Sequence, residues 1–181
     1  NWMKKVAVAL VCLLPLGLQA AKVDTLQVKS PSMNKSIEVV VVSPDVAATK
    51  ACPVIYLLHG YGGNARTWVG IKPDLSKIAD EKGIFFVCPD GKNTWYWDSP
   101  LNADVRYETF ISDELVKYVD SHYKTVADRK GRAITGLSMG GHGAMWNGLR
   151  HSDVFSAAGS TSGGVDIRPF PKNWEMSVQI G

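Results

Sequence analysis

Six residues, Gly136-Leu137-Ser138-Met139-Gly140-Gly141, constrain this chain more than any other stretch. Arg132-Ala133-Ile134-Thr135 before them reads as a strand, and His142-Gly143-Ala144-Met145-Trp146 after them as a helix of mostly small residues. A serine between two glycines at such a strand-to-helix turn has the layout of a nucleophile elbow. The turn is sharp and its backbone strained, so the chain crosses itself closely only where side chains are absent, which accounts for Gly136 and Gly140. Unpaired amides of the new helix then face the serine. Ser138 is the candidate nucleophile, and the Met139 amide is a candidate donor to an oxyanion formed by its attack on a carbonyl.

The elbow needs a folded domain around it, and the composition supplies one. The 181 residues are 45% hydrophobic and 20% charged, which suits a single globular domain with a sizeable core. The formal charge is +3, and two of the positive charges, Lys4 and Lys5, lie in the first twenty residues, so nothing points to nucleic acid or another polyanion. Met3-Lys4-Lys5, an apolar run from Val6 to Leu18, and Gln19-Ala20-Ala21 have the layout of a secretory signal peptide cleaved after Ala20. Asn1 and Trp2 are expected to precede the natural start at Met3. The run is shorter than the roughly 20 residues of a membrane-spanning helix and contains Pro15, so no stable membrane anchor is expected. The protein is expected to be exported, periplasmic or secreted, with residues 21–181 forming the N-terminal part of one domain. Cys52 and Cys88 are expected to stay unpaired, because parallel strands would put them at opposite ends of the sheet.

Taken in order, Thr25 to Val28 and Lys35 to Val42 read as an antiparallel pair around a turn at Ser30–Asn34. Val54 to Leu58 is a continuous apolar run, as expected of a central strand covered on both faces. A helix from Pro73 to Lys82 and a buried strand from Ile84 to Cys88 complete a β-α-β unit, which predicts an α/β fold with a mostly parallel sheet and helices on both faces. A packing helix follows from Tyr107 to Tyr123, and Phe155 to Ser160 reads as the next strand after the elbow helix.

The loop His59-Gly60-Tyr61-Gly62-Gly63 leaves the central strand and is glycine-rich enough to turn its amides inward. It is the expected source of a second oxyanion donor, assigned to the Tyr61 amide with Gly62 as the neighbouring alternative. No Lys-Ser/Thr follows these glycines, so a phosphate loop is disfavoured. His59 at the strand end fits a structural hydrogen bond better than a catalytic base. In the loop from Pro89 to Pro100, Trp95, Tyr96 and Trp97 do not alternate as a strand face does. Trp95 and Trp97 either line a cleft suited to sugars or aryl groups, or fold back over the sheet edge. Asp90 and Asp98 fit turn-making roles, His142 packing, and His151 a helix end remote from the serine. Asp166 is the one downstream acid placed at a strand end.

His59 to Gly63, Pro89-Asp90-Gly91 through Asp98-Ser99-Pro100, Tyr107-Glu108-Thr109 and Gly136 to Gly143 together resemble an esterase family. It includes esterase D (S-formylglutathione hydrolase), tributyrin esterase, feruloyl esterase domains and mycolyltransferases of the antigen 85 type. The resemblance runs from about residue 35 onward. It implies an α/β-hydrolase fold and a serine esterase that forms an acyl-enzyme on Ser138, with Tyr61 and Met139 as oxyanion donors and no metal or organic cofactor. The substrate implied is a small-molecule or carbohydrate-linked ester. Such enzymes place the triad acid and histidine after the serine, in that order. Here no acid-then-histidine order follows His151, so the sheet is expected to be incomplete at the C-terminus. The triad acid and histidine are expected beyond Gly181, and residues 1–181 alone to be inactive. Two other outcomes stay open, an acyltransferase using a sugar acceptor and a carbohydrate-binding pseudoenzyme without catalysis.

Overall fold

A computed structural model describes residues 21–169 and Met176. The segment expected to be a signal peptide, residues 1–20, lies outside the described residues. A six-stranded sheet forms the frame, in the order β1-β2-β4-β3-β5-β6. Its strands are β1 (Lys22–Ser30), β2 (Lys35–Ser43), β3 (Val54–Leu58), β4 (Phe85–Pro89), β5 (Arg132–Gly136) and β6 (Ala157–Ala158). β2 is antiparallel to both β1 and β4, while β4, β3, β5 and β6 pair parallel, so β2 alone runs against the rest.

The apolar run Val54–Leu58 becomes the central strand for the reason its composition suggests, since both of its faces are covered. On one face Val40, Val42, Leu57, Phe86 and Cys88 pack beneath α1 (Thr67–Ile71) and α2 (Leu75–Lys82). On the other, Val39, Val41, Tyr56, Leu58, Val87 and Ile134 pack beneath the remaining helices. Those are α3 (Tyr107–Thr109), the π-helical turn Phe110–Leu115, α4 (Val116–His122) and α5 (Met139–Arg150). Gly83 ends α2 with a φ of 63°, a left-handed cap that a residue without Cβ adopts freely.

Two elements depart from the sequence expectation. The helix expected from Tyr107 to Tyr123 is interrupted by the wide turn Phe110–Leu115. There Ser112 Oγ reaches Asn147 Oδ1 at 2.8 Å, while Glu114 accepts Ser30 Oγ at 2.6 Å and the Ser32 amide at 2.7 Å. The strand expected from Phe155 to Ser160 shrinks to Ala157–Ala158. Beyond it the chain keeps only single contacts with β5 and the elbow, such as the Thr161 amide on the Gly136 carbonyl at 2.9 Å, because it bends to close over the start of α5. Cys52 and Cys88 are both buried and free, as expected, and burial pushes the Cys88 thiol up to about 12.

Candidate active site

β5 delivers Ser138 to the carboxyl edge of the sheet, and α5 starts at the next residue. Ser138 has φ 54° and ψ −118°, a conformation that a non-glycine residue holds only when its surroundings over-determine it. Four backbone bonds do so. The Ser138 amide donates to the Thr161 carbonyl at 2.8 Å, the Leu137 amide to Leu58 at 3.2 Å, the Gly140 amide to Leu137 at 2.8 Å, and the His142 amide to Ser138 at 3.0 Å. Two close approaches make the turn possible. A Cβ on Gly136 would lie 2.2 Å from the Gly140 carbonyl oxygen, and one on Gly140 would lie 2.1 Å from that of Leu58. The spacing of those two glycines in the sequence is the imprint of this crossing.

Ser138 is exposed, Met139 is fully buried, and the positive end of α5 is directed at the serine. A cavity of about 610 Å³ opens in front of them, lined by Tyr61, Trp95, Ser138, Met139, Ser162, Gly163 and Gly164. That volume suits a small organic ligand. Trp95 (φ 58°) and Ser162 (φ 53°) share the left-handed backbone of Ser138, so strain concentrates around the cavity. Four residues expected from the sequence, Ser138, Tyr61, Met139 and Trp95, therefore meet at one place. Trp97 does not join them. It lines a neighbouring depression with His142, Trp146 and Val165, and its indole Nε1 donates to His142 Nε2 at 2.9 Å.

The glycine-rich loop turns immediately after β3. The Gly63 amide donates to the Gly60 carbonyl at 3.0 Å, and Gly62 takes φ 77°. A Cβ on Gly60 would lie 3.4 Å from Ser138 Cβ, so this loop stands directly against the serine. The Gly62 amide is engaged, donating to Asn93 Oδ1 at 2.8 Å.

All four histidines of the sequence lie among the described residues, and each is committed elsewhere. Buried His59 donates from Nδ1 to the Gly60 carbonyl at 2.7 Å and accepts the Gly91 amide on Nε2 at 2.9 Å, which ties the two loops together. His122 caps the end of α4 on the Tyr118 carbonyl, and His151 bonds Glu108 Oε1 at 2.8 Å. His142 is more than packing. Its Nδ1 donates to the Gly164 carbonyl at 2.6 Å, and its ring lies among Trp95, Trp97 and Trp146, so it anchors the cavity wall formed by Ser162–Gly164. Burial lowers its pKa, against the opposing effect of the Gly164 carbonyl.

The carboxylates are structural. Burial alone would raise the Asp90 carboxyl, but hydrogen bonds from the Lys92 side chain and amide outweigh it and hold it well below the usual range. Asp98 accepts the Thr109 amide at 3.0 Å and its hydroxyl at 2.5 Å, fixing the start of the helix. Asp166 is exposed and paired with Arg168 at 2.7 Å. Sequence reasoning missed Ser162, Gly163 and Gly164 as cavity wall, His142 as its anchor, and Asn93 as a partner of the glycine loop. Among the described residues no cluster of ligands suits a metal ion, and no helix is long and apolar enough to cross a membrane.

A mostly parallel sheet with one reversed strand, helices on both faces and a strained serine between β5 and α5 defines an α/β-hydrolase. The solved structure of a ferulic acid esterase has the same fold, with a TM-score of 0.73 over 88% of this chain and 66% of its own at 31% identity. The chain belongs to the esterase family whose model, described as "Putative esterase", matches residues 30–178. An esterase of Mycobacterium tuberculosis is 31% identical over 149 residues, which cover 78% of this chain and 32% of the relative. Diacylglycerol acyltransferase/mycolyltransferase Ag85A of Mycobacterium leprae is 32% identical over 158 residues, covering 80% and 44%. The chain thus spans less than half the length of both sequence relatives.

Proposed function

We propose that the protein is an exported serine esterase that cleaves carboxylic esters through an acyl-enzyme on Ser138. Ser138 Oγ attacks the ester carbonyl and its proton passes to a histidine base. The carbonyl oxygen gathers negative charge, which the Met139 and Tyr61 amides stabilise. The alkoxide then leaves with the proton from that base, and water attacks the acyl carbon in the reverse sense to release the acid and free Ser138. No metal or organic cofactor takes part. None of His59, His122, His142 and His151 is placed as the base, so the base and the acid that orients it are assigned to chain beyond Gly181.

The observation that carries this proposal is the strained elbow. It holds Ser138 exposed at the start of α5, in one cavity with Tyr61 and Met139. The aromatic wall at Trp95 and the likeness to a ferulic acid esterase favour carbohydrate-linked esters, with acetyl or feruloyl groups as the acyl part. In the full-length protein, Ser138→Ala should abolish hydrolysis of p-nitrophenyl acetate and labelling by a fluorophosphonate, and retained turnover would refute the assignment. The likeness to a mycolyltransferase favours a second reading, in which a sugar hydroxyl replaces water as the acyl acceptor. Product analysis with and without a sugar acceptor separates the two. A carbohydrate-binding pseudoenzyme would bind glycans without fluorophosphonate labelling.

A further inference from the structure

The loop between β4 and α3 contains more strain than its role as cavity wall requires. Lys92 (φ 49°), Trp95 (φ 58°) and Tyr96 (φ 62°) all have left-handed backbone, and none is glycine. Aromatic residues hold such a conformation only under external restraint, and the restraints are specific. Lys92 donates to Asp90 from its amide at 2.8 Å and from Nζ at 2.7 Å, and Thr94 Oγ1 donates to the Gly91 carbonyl at 2.6 Å. The Gly91 amide is held by His59 Nε2, and Tyr96 OH donates to the His59 carbonyl at 2.8 Å. Asn147 of α5 donates to the Tyr96 carbonyl at 3.2 Å. The loop is therefore clamped from the end of β3 and from α5 together, the two elements that carry the glycine loop and the serine.

This clamping delivers the half-buried Asn93 side chain to one place, where Oδ1 accepts the Gly62 amide at 2.8 Å. Resting on the reading of Ser138 as nucleophile, we propose that Asn93 is a positioning residue that sets the oxyanion hole through Gly62. The Gly60–Gly63 turn is closed at its ends by its own backbone bond, but Gly62 at φ 77° is free to swing in the middle. Holding the Gly62 amide fixes the Tyr61–Gly62 peptide plane. It keeps that N–H from turning into the cavity and, with the Gly60–Tyr61 plane held by the bond from the Gly63 amide to the Gly60 carbonyl, pins the backbone on both sides of Tyr61, the assigned oxyanion donor. An amide oxygen suits the task because it accepts a hydrogen bond without bringing a negative charge beside one that forms during the reaction.

The test uses the full-length enzyme with p-nitrophenyl acetate as substrate and a boronic acid as a mimic of the tetrahedral intermediate. Asn93→Ala should lower kcat by about 10- to 100-fold, as expected for an oxyanion donor displaced rather than removed. KM and Tm should stay near wild type, boronate affinity should fall in step with kcat, and hydrogen exchange at the Gly62 amide should accelerate. Asn93→Asp keeps an acceptor for Gly62, so that amide should stay protected while kcat still falls because of the added charge. Wild-type kcat in both variants overturns the proposal, as does a loss in which Tm and KM change together and boronate affinity does not. A wild-type enzyme that neither turns over ester nor labels at Ser138 removes the nucleophile assignment and this proposal with it, whereas an active, Ser138-dependent enzyme indifferent to Asn93 removes the proposal alone.

Discussion

Gly140→Ala tests whether the crossing of β3 and the elbow sets the catalytic geometry. The added methyl would lie 2.1 Å from the Leu58 carbonyl oxygen, 2.5 Å from the Leu58 carbonyl carbon and 2.6 Å from the His59 carbonyl oxygen. All three are backbone atoms with no rotamer to escape into. Real Cβ atoms essentially never come within 3.0 Å of such neighbours, so α5 and β3 must part by nearly 1 Å. Overpacking a well-filled interior costs typically 1–3 kcal/mol, and contact with rigid backbone belongs at the upper end, about 3 kcal/mol. For a domain of this size that lowers Tm by roughly 6–12 °C. The displacement also carries Ser138 away from the loop that follows β3, and an error of about 1 Å in a reacting constellation costs on the order of 100-fold in rate. Thermal unfolding followed by circular dichroism, together with kcat for p-nitrophenyl acetate on the full-length protein, measures both effects. A variant with wild-type Tm and kcat would refute the claim that this crossing is closed to a side chain.

Two substitutions test the electrostatics over separate pH ranges. Burial depresses the pKa of His142 in the folded state, so the unfolded chain takes up a proton first and stability declines as pH drops below about 6.5. His142→Asn, which keeps a donor for the Gly164 carbonyl, should flatten that limb of the stability curve, and an unchanged slope would contradict a buried neutral imidazole. Burial raises Glu108, but hydrogen bonds from Arg150, Trp146 and His151 outweigh it and hold its pKa below the ordinary value. Its contribution is full above about 4.3 and lost as pH falls through the lower folded value, so Glu108→Gln should be less stable at neutral pH and lose less on acidification. Urea unfolding midpoints across pH 3 to 8 read out both variants, and a Glu108→Gln curve parallel to wild type would refute the stabilising role of the Glu108 hydrogen bonds.

What the sequence made legible was whatever geometry forces on composition. Gly136 and Gly140 are written into the chain because no Cβ fits there, and Val54–Leu58 is uniformly apolar because both of its faces are covered. Those two facts lead to the α/β frame and to Ser138. Contacts satisfied by ordinary polar residues far apart in the chain left no such trace. Asn93 and Gly62 meet only after two loops fold together, and His142 finds its partners in Trp97 and Gly164. Trp95 and Trp97 are two residues apart, yet left-handed turns at Trp95 and Tyr96 direct one to the cavity and the other to the far side of His142. Local propensity disfavours those turns, so the division between them is a product of tertiary restraint. The π turn at Phe110–Leu115 sits in a segment whose apolar spacing reads as an ordinary helix.

The strand order has a consequence for how the protein is made. β3 lies at the centre of the sheet, but both of its neighbours, β4 and β5, come later in the chain. During synthesis the segment Val-Ile-Tyr-Leu-Leu emerges with neither edge paired, and its second edge stays open until Arg132–Gly136 has left the ribosome. An uncharged, β-prone run of this kind is the sort of template on which nascent chains stick to one another. Parallel pairing across such sequence separation is also slow. The strand that holds the finished site together is thus left with an open edge for as long as the site is incomplete.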